Sequence, residues 1–335
     1  MTLLVNPRSR SLQVLAAVAL CAGALAGCGN DSSADPDDSG TESTHVVTTP
    51  QGKVDVPDDP ERVVVLNHAL AGYLYELDVP VTAITPEVAD SDEREFSPFW
   101  EDQAEEAGTE FLPWTSNGYS MESILEMDPD LIIGGGLGFP YAQAVEAYDD
   151  LSKIAPTVLV DDKLGTWQEQ FSFLAEDVFD DADRFAQLEK EYEDRVAEVK
   201  NAITIPPTPV AYLSFTSDNV AYGVVESTGL PQELARLGFK PAPIFERNDL
   251  PAYGGTNDMF EISPEIVDEV ITAPTVFTVG FNGDTVDLDA LRKDPIYAAL
   301  PAFENDNVYD LPYWTLRADY HETMGLLDHI EKEFG

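Results

Sequence analysis

Cysteine is scarce in this chain. Only Cys21 and Cys28 occur among 335 residues, and both lie near the amino terminus. The rest of the chain therefore has no disulfide and no thiol nucleophile. This excludes small disulfide-stabilised scaffolds and thiol-dependent enzymes.

Positive charge is also scarce. The chain has 18 Lys and Arg against 63 Asp and Glu, which gives a formal net charge of −45. Such acidity excludes nucleic acid as a partner and keeps a protein soluble, but it names no ligand. The four histidines are scattered, and His45 lies close to the amino-terminal segment. A zinc site built from several converging histidines is therefore not expected.

Familiar catalytic motifs are missing as well. The sequence contains no G-x-S-x-G, H-E-x-x-H or Walker motif. Its glycine run, GGGLG at 134–138, fits no nucleotide-binding pattern, so we expect these glycines to turn the backbone or to let it pass close to a bulky ligand. An enzyme that uses two of the many carboxylates remains an alternative, and so does an envelope scaffold.

The amino terminus carries targeting information. Arg8 and Arg10 precede an apolar run at 12–26 that is too short for a stable membrane span. The run ends in Leu25-Ala26-Gly27-Cys28, which matches the lipobox of bacterial lipoproteins. We therefore predict a signal peptide at 1–27 and a diacylglycerol on Cys28.

A polar segment follows the lipobox. Residues 30–44 are rich in Ser, Asp, Gly, Thr and Glu and contain no large apolar residue. This composition is typical of disorder. We expect residues 28–44 to be a tether, and the protein to be extracytoplasmic and held at the cell membrane by its lipid.

One long helix divides the remaining chain. Apolar residues recur in 183–202 at spacings of three and four, which is one stripe of a helix: Phe185, Leu188, Tyr192, Val196 and Val199. A shorter helical pattern precedes it at 167–178. We predict an N-terminal lobe at 45–178, a connecting helix at 179–204 and a C-terminal lobe at 205–335. The alternative is a surface helix of a single α/β domain.

Both halves alternate strands with helices. The predicted strands are 63–66, 79–84, 131–133 and 157–160 in the first half, and 210–215, 275–279 and 307–311 in the second. Continuous β-branched runs are typical of strands buried on both faces, so we expect mostly parallel sheets. Ligands of such sheets bind beyond the carboxyl ends of the strands. The long aromatic segment at 85–118 is expected to be functional because of its length.

Several sequence blocks resemble a known family. They are PERVVVL at 60–66, YELDVPV at 75–81, MESILEMDPDLII at 121–133, LSKIAPTV at 151–158, LARLGF at 234–239, EISPE at 261–265, and DPIYAALPAF with NVY at 294–309. In this order, and with a lipobox, they are similar to the substrate-binding proteins of ABC importers for ferric siderophores, haem and cobalamin.

The resemblance implies a fold and a role. It implies an α/β fold with two Rossmann-like lobes joined by one long rigid helix, a shallow cleft between the lobes, and delivery of the ligand to a membrane permease by a monomer. The chain departs from the family in the segment 86–118, called here the insertion, and in Asp78, where Gly is common.

The expected ligand sets the expected site. A ferric siderophore is large, often anionic, and already saturates its iron, so it needs aromatic walls and a few cations but no metal ligand from the protein. Candidates near strand ends are Trp114, Tyr119, Tyr222, Arg247, Tyr253, Trp314 and Arg317. Each has a structural alternative, such as a pairing of Arg317 with Asp319.

Other ligands and contacts remain open. Haem or cobalamin is the alternative cargo, and haem would need axial side chains, for which His68 or a tyrosine of the cleft is the candidate. The resemblance also implies that one acidic residue on each lobe docks on the permease. Glu146 and Glu265 are the candidates, although either is equally well explained as a solvated helix residue.

Overall fold

A computed structural model describes residues 43–92, 94–281 and 285–335. The predicted signal peptide, Cys28 and the tether up to residue 42 lie outside the described residues. Thr44, which we assigned to the tether, instead begins a strand. None of the helices in the described ranges is long and apolar enough to cross a membrane.

The first lobe contains a five-stranded parallel sheet. Its strands are β3 (Val63–Val65), β4 (Val81–Ile84), β5 (Glu110–Phe111), β8 (Leu131–Gly135) and β9 (Thr157–Val160), in the order β5-β4-β3-β8-β9. Two hairpins accompany it: β1 (Thr44–Thr49) with β2 (Gly52–Pro57), and β6 (Trp114–Thr115) with β7 (Gly118–Tyr119). The helices are α1 (Ala71–Glu76), α2 (Glu101–Ala107), α3 (Met121–Glu126), α4 (Phe139–Leu151) and α5 (Trp167–Ser172).

The four strands predicted for this lobe are confirmed, and every residue of β3, β8 and β9 is buried. The insertion is not an unstructured excursion. It supplies α2, the edge strand β5, which pairs with β4, and the hairpin β6–β7. Asp78 has a φ of 54°, in the left-handed region that favours glycine, so the backbone here suits the glycine that the resemblance implies.

Helix α6 (Ala182–Ala202) follows the first sheet and precedes the second along the chain. Asp181 caps it by accepting a hydrogen bond from the Arg184 amide. Its buried residues are the five of the predicted stripe. Helix α5 continues as a π-helical turn, Phe173–Val178, before the break at Asp180.

The second lobe contains a mixed five-stranded sheet. Its strands are β10 (Val210–Phe215), β11 (Ala221–Val224), β12 (Met259–Glu261), β13 (Thr275–Gly280) and β14 (Val308–Leu311), in the order β12-β11-β10-β13-β14. The helices are α7 (Gly229–Leu237), α8 (Ile244–Arg247), α9 (Val267–Val270), α10 (Leu288–Leu291), α11 (Pro295–Ala298), α12 (Pro301–Glu304) and α13 (Tyr320–Phe334).

The prediction of mostly parallel sheets is correct for the first lobe but not for this one. Strands β10, β13 and β14 run parallel, whereas β11 and β12 add two antiparallel pairs. The short connection at 216–220 accounts for the β10–β11 pair, since a link this short can join only antiparallel neighbours. The two-lobed α/β fold itself is confirmed.

A buried carboxyl joins α6 to the second lobe. Glu233 on α7 is 5% exposed and accepts a hydrogen bond of 2.6 Å from the Tyr192 hydroxyl on α6. Burial raises the pKa of Glu233 from 4.5 to about 7. Between pH 4.5 and about 7, the Glu233 carboxyl is therefore protonated more fully in the folded protein than in the unfolded chain.

We predict that Glu233 makes the fold weaken as the pH rises. Between its unfolded pKa near 4.5 and its folded pKa near 7, the folded state binds more protons, so the free energy of unfolding falls through this window. In urea unfolding, the free energy of unfolding of the unmodified protein should be lower at about pH 8 than at about pH 5. In Glu233→Gln this decrease should be smaller by on the order of 2–3 kcal/mol.

The control for this measurement is Glu105→Gln, because Glu105 is exposed on α2. It should leave the pH dependence as in the unmodified protein. Equal drops in Glu233→Gln and in the unmodified protein would contradict the prediction.

Candidate functional site

A cleft lies where the carboxyl ends of strands from both sheets meet. It encloses a cavity of about 250 Å³ lined by residues of both lobes. Asn67 and His68 follow β3, Phe139 follows β8, Phe281 follows β13, and Tyr313 follows β14. This is the place where open α/β sheets bind ligands.

Four of the seven predicted ligand-binding residues line this cavity: Trp114, Tyr253, Trp314 and Arg317. Tyr222 lies in a second layer, with its ring centroid 4.7 Å from that of Tyr253. Tyr119 lies behind Trp114. Arg247 is exposed at the end of α8 and does not line the cavity, so its assignment to the cleft is not supported.

Trp114 forms a fixed wall of the cavity. It is 6% exposed, and its indole N–H donates to Oε1 of Gln143 at 2.5 Å. The Gln143 amide in turn donates to the carbonyls of Thr115 and Ser116 at 3.1 Å each. The Tyr119 hydroxyl donates to the carbonyls of residues 66 and 140. Helix α4 thus holds the hairpin β6–β7 against the cleft.

Trp314 forms part of the opposite wall. Its half-buried ring meets Phe99 of the insertion edge-on, with the centroids 4.8 Å apart. Gly325 on α13 makes this contact possible, because a Cβ there would lie 2.5 Å from the Phe99 ring. The insertion therefore packs against the second half of the chain at the edge of the cavity.

Arg317 is paired inside the cleft. Its Nε and Nη2 donate to Oδ2 of the buried Asp258 at 2.8 and 2.7 Å, and the Thr256 hydroxyl donates to Oδ1 at 2.6 Å. The partner is therefore Asp258 and not Asp319, which caps α13.

The glycine run makes room for this pair. Gly138 has a φ of 83°, and a Cβ on it would lie 2.6–2.7 Å from guanidinium atoms of Arg317. Of the two roles that the sequence left open, turning the backbone is confirmed. The close approach observed at Gly138 is to the Arg317 side chain of the protein.

Three acidic side chains face the same cavity. Burial raises the pKa of the half-buried Glu87 to about 7, against the opposing effect of Arg317. Burial and the nearby Asp319 carboxyl raise the pKa of Glu322 well above its usual range, which favours its neutral form. Hydrogen bonds from the Ser116 side chain and from the Ser116 amide, the latter 2.9 Å long, lower the pKa of Asp90 and keep it ionised.

His68 also lines the cavity, but its side chain is almost completely buried. Its centroid lies 4.8 Å from that of Trp100, and burial lowers its pKa to about 4, so the imidazole is neutral. Its Nε2 is buried and has no hydrogen-bond partner among the described residues. In this conformation Nε2 is not open to an axial ligand position. Among residues 43–92, 94–281 and 285–335, no group of three or more His, Cys, Asp or Glu is arranged to hold a metal ion.

The two candidate docking residues lie on the surface. Glu146 is exposed on α4. Glu265 is exposed just before α9, and a hydrogen bond from the Ser263 side chain lowers its pKa. Both are accessible to a partner, as are many other acidic residues of this chain.

Sequence reasoning missed several cleft residues. Glu87, Phe139, Phe281 and Tyr313 were not selected, although each lies just beyond a strand and the strand-end rule could have found them. Asp258 and Glu322 carried no comparable signal, because their roles depend on pairing across the fold.

Comparisons with known proteins agree with this architecture. The family model described as "Periplasmic binding protein" matches residues 63–313. The ferric enterobactin-binding periplasmic protein FepB of Escherichia coli O6:H1 is 30% identical over 298 residues, 86% of this chain and 90% of FepB. The probable siderophore-binding lipoprotein YfiY of Bacillus subtilis is 24% identical over 330 residues, 92% of this chain and 94% of YfiY.

Solved structures share the fold. Holo-ViuP superposes with a TM-score of 0.74 at 21% identity, over 87% of this chain and 95% of ViuP. FeuA of Bacillus subtilis, a triscatecholate siderophore binding protein complexed with ferri-bacillibactin, gives a TM-score of 0.65 at 19% identity, over 86% of this chain and 97% of FeuA.

These matches confirm the resemblance on which the expected fold was based, and they place the chain among binding proteins and not among enzymes. The chain belongs to the periplasmic binding protein family.

Proposed function

We propose that this chain captures a ferric siderophore in its interlobe cleft and delivers it to the permease of an ABC importer. The observation that carries the proposal is the cavity itself, which both lobes build at their strand ends and wall with aromatic side chains. The names of FepB and YfiY point to the same class of ligand.

The proposal includes the way in which the protein is held and delivers its ligand. The lipobox at residues 25–28 supports anchoring at the outer face of the cell membrane through a lipid on Cys28. Exposed Glu146 and Glu265 are the proposed permease contacts of a monomer. Haem and cobalamin remain alternative cargoes, but the buried Nε2 of His68 gives haem no support.

We expect the folded domain to bind ferric siderophores and not their iron-free forms. Because β1 begins at Thr44, the domain to purify is residues 43–335. Quenching of its Trp fluorescence should be followed during titration with ferric catecholate, hydroxamate and citrate-type complexes, haemin and cobalamin, with the iron-free siderophores as controls. Saturable quenching by haemin or cobalamin alone, or by no compound, would overturn the siderophore proposal.

We expect Trp314→Leu to weaken the binding of the preferred ferric complex by roughly three- to tenfold, because an aromatic contact of this kind contributes roughly 0.5–1.5 kcal/mol. Two variants outside the cavity serve as controls. Phe245→Leu replaces a half-buried aromatic ring, which stacks on Phe260, with a smaller aliphatic side chain. Arg247→Gln removes the exposed positive charge of α8. Both should bind as the unmodified domain does. An unchanged affinity of Trp314→Leu would contradict the assignment of this wall.

A further inference from the structure

The sign of the charge in the cleft narrows the class of ligand. We infer that the cleft prefers neutral or positively charged ferric complexes and discriminates against multiply anionic ones, with Glu87 and Asp90 as the specificity-determining residues. This inference rests on the proposed function and concerns the same cavity.

The cleft has little positive charge to offer an anion. Arg317 is the only Lys or Arg among the described residues that line the cavity. Two of its nitrogens already donate to Asp258, whose other oxygen is held by Thr256. An anionic ligand would have to compete with a buried carboxylate, and opening such a pair leaves that charge uncompensated.

The negative groups come mainly from the insertion. Glu87 and Asp90 both belong to the insertion, and Glu322 on α13 is the third carboxyl that lines the cavity. Asp90 is ionised and held in place by the Ser116 amide. Glu87 faces Arg317, Tyr313 and Glu322, and its carboxyl ionises readily once a cation lies nearby. With Arg317 balanced by Asp258, the remaining charge is negative.

The aromatic walls suit the same class of ligand. Trp114, Tyr253, Tyr313 and Trp314 line the cavity, and aromatic ring faces attract cations and repel anions. The whole chain adds to this preference at longer range. A net charge of −45 speeds the approach of cationic complexes and slows that of anionic ones, most strongly at low salt.

Three ferric complexes of different charge test the inference: a monocationic trihydroxamate, a neutral trihydroxamate and a trianionic tris-catecholate. Dissociation constants are measured by Trp quenching of the 43–335 domain at about pH 8 and near-physiological salt. We expect the trianionic complex to bind at least about tenfold more weakly than the other two, because two unit charges about 4 Å apart repel each other by roughly 1–4 kcal/mol between bulk water and a protein surface.

Charge removal at Glu87 separates an electrostatic role from a structural one. Glu87→Gln should strengthen the binding of the trianionic complex and weaken that of the cationic one, each by about three- to tenfold, and leave the neutral one unchanged. Asp90→Asn should act in the same direction, and its exposed position makes it tolerant of substitution. Glu105→Gln, on the exposed face of α2, should change none of the three.

Each outcome has a distinct meaning. Tightest binding of the trianionic complex would overturn the inference while leaving siderophore capture intact. The inference would also be overturned if Glu87→Gln and Asp90→Asn each changed the dissociation constants of all three complexes by the same factor. Failure of every ferric complex to bind would overturn the proposed function as well.

Discussion

The ion pair between Arg317 and Asp258 is the contact around which the cleft is arranged. Arg317 follows the last strand of the second sheet, and its guanidinium lies against Gly138 at the start of α4 in the first lobe. The pair therefore needs a glycine in one lobe, an arginine after the last strand of the other, and an aspartate beside it. A side chain at position 138 would clash with the guanidinium, and removing Arg317 would leave the buried Asp258 carboxylate without its cation.

Two other carboxyl groups are buried in this very acidic chain without an ion-pair partner among the described residues. Glu233 and Glu322 are buried, and burial raises the pKa of each, which favours the neutral form of both. Each has a hydrogen-bonding hydroxyl partner, Tyr192 and Ser97 respectively. A neutral, hydrogen-bonded carboxyl costs far less to bury than a charge. These contacts also join parts of the chain that are distant in sequence, since Ser97 lies in the insertion and Glu322 on the last helix.

Local patterns predicted the elements but not their cross-connections. Helix α6 could be predicted from apolar residues that recur every three to four positions. The central strands could be predicted from continuous β-branched runs, which are typical of strands buried on both faces. The antiparallel strands β11 and β12 are short; a five-residue connection makes β11 antiparallel to β10, and β12 reaches β11 only after a long intervening segment. Trp114, Trp314 and Arg317 were found because the strand-end rule is geometric. Arg247 was placed in the cleft for its charge, although its side chain is exposed at the end of α8.

The fold determines where the cleft lies, whereas side chains of the insertion influence which ligand the cleft prefers. The two sheets and their strand ends fix where a cleft forms, and those features are common to proteins that are only about a fifth identical to this one. Charge is carried by single side chains, which a superposition of backbones does not constrain. The insertion brings Trp114 and two carboxyl groups to the cavity and is anchored to the last helix through Ser97 and Phe99. One aromatic wall and two of the three carboxyls of the cleft thus come from one segment, so changes to those side chains would alter ligand preference while the two sheets keep their strand order.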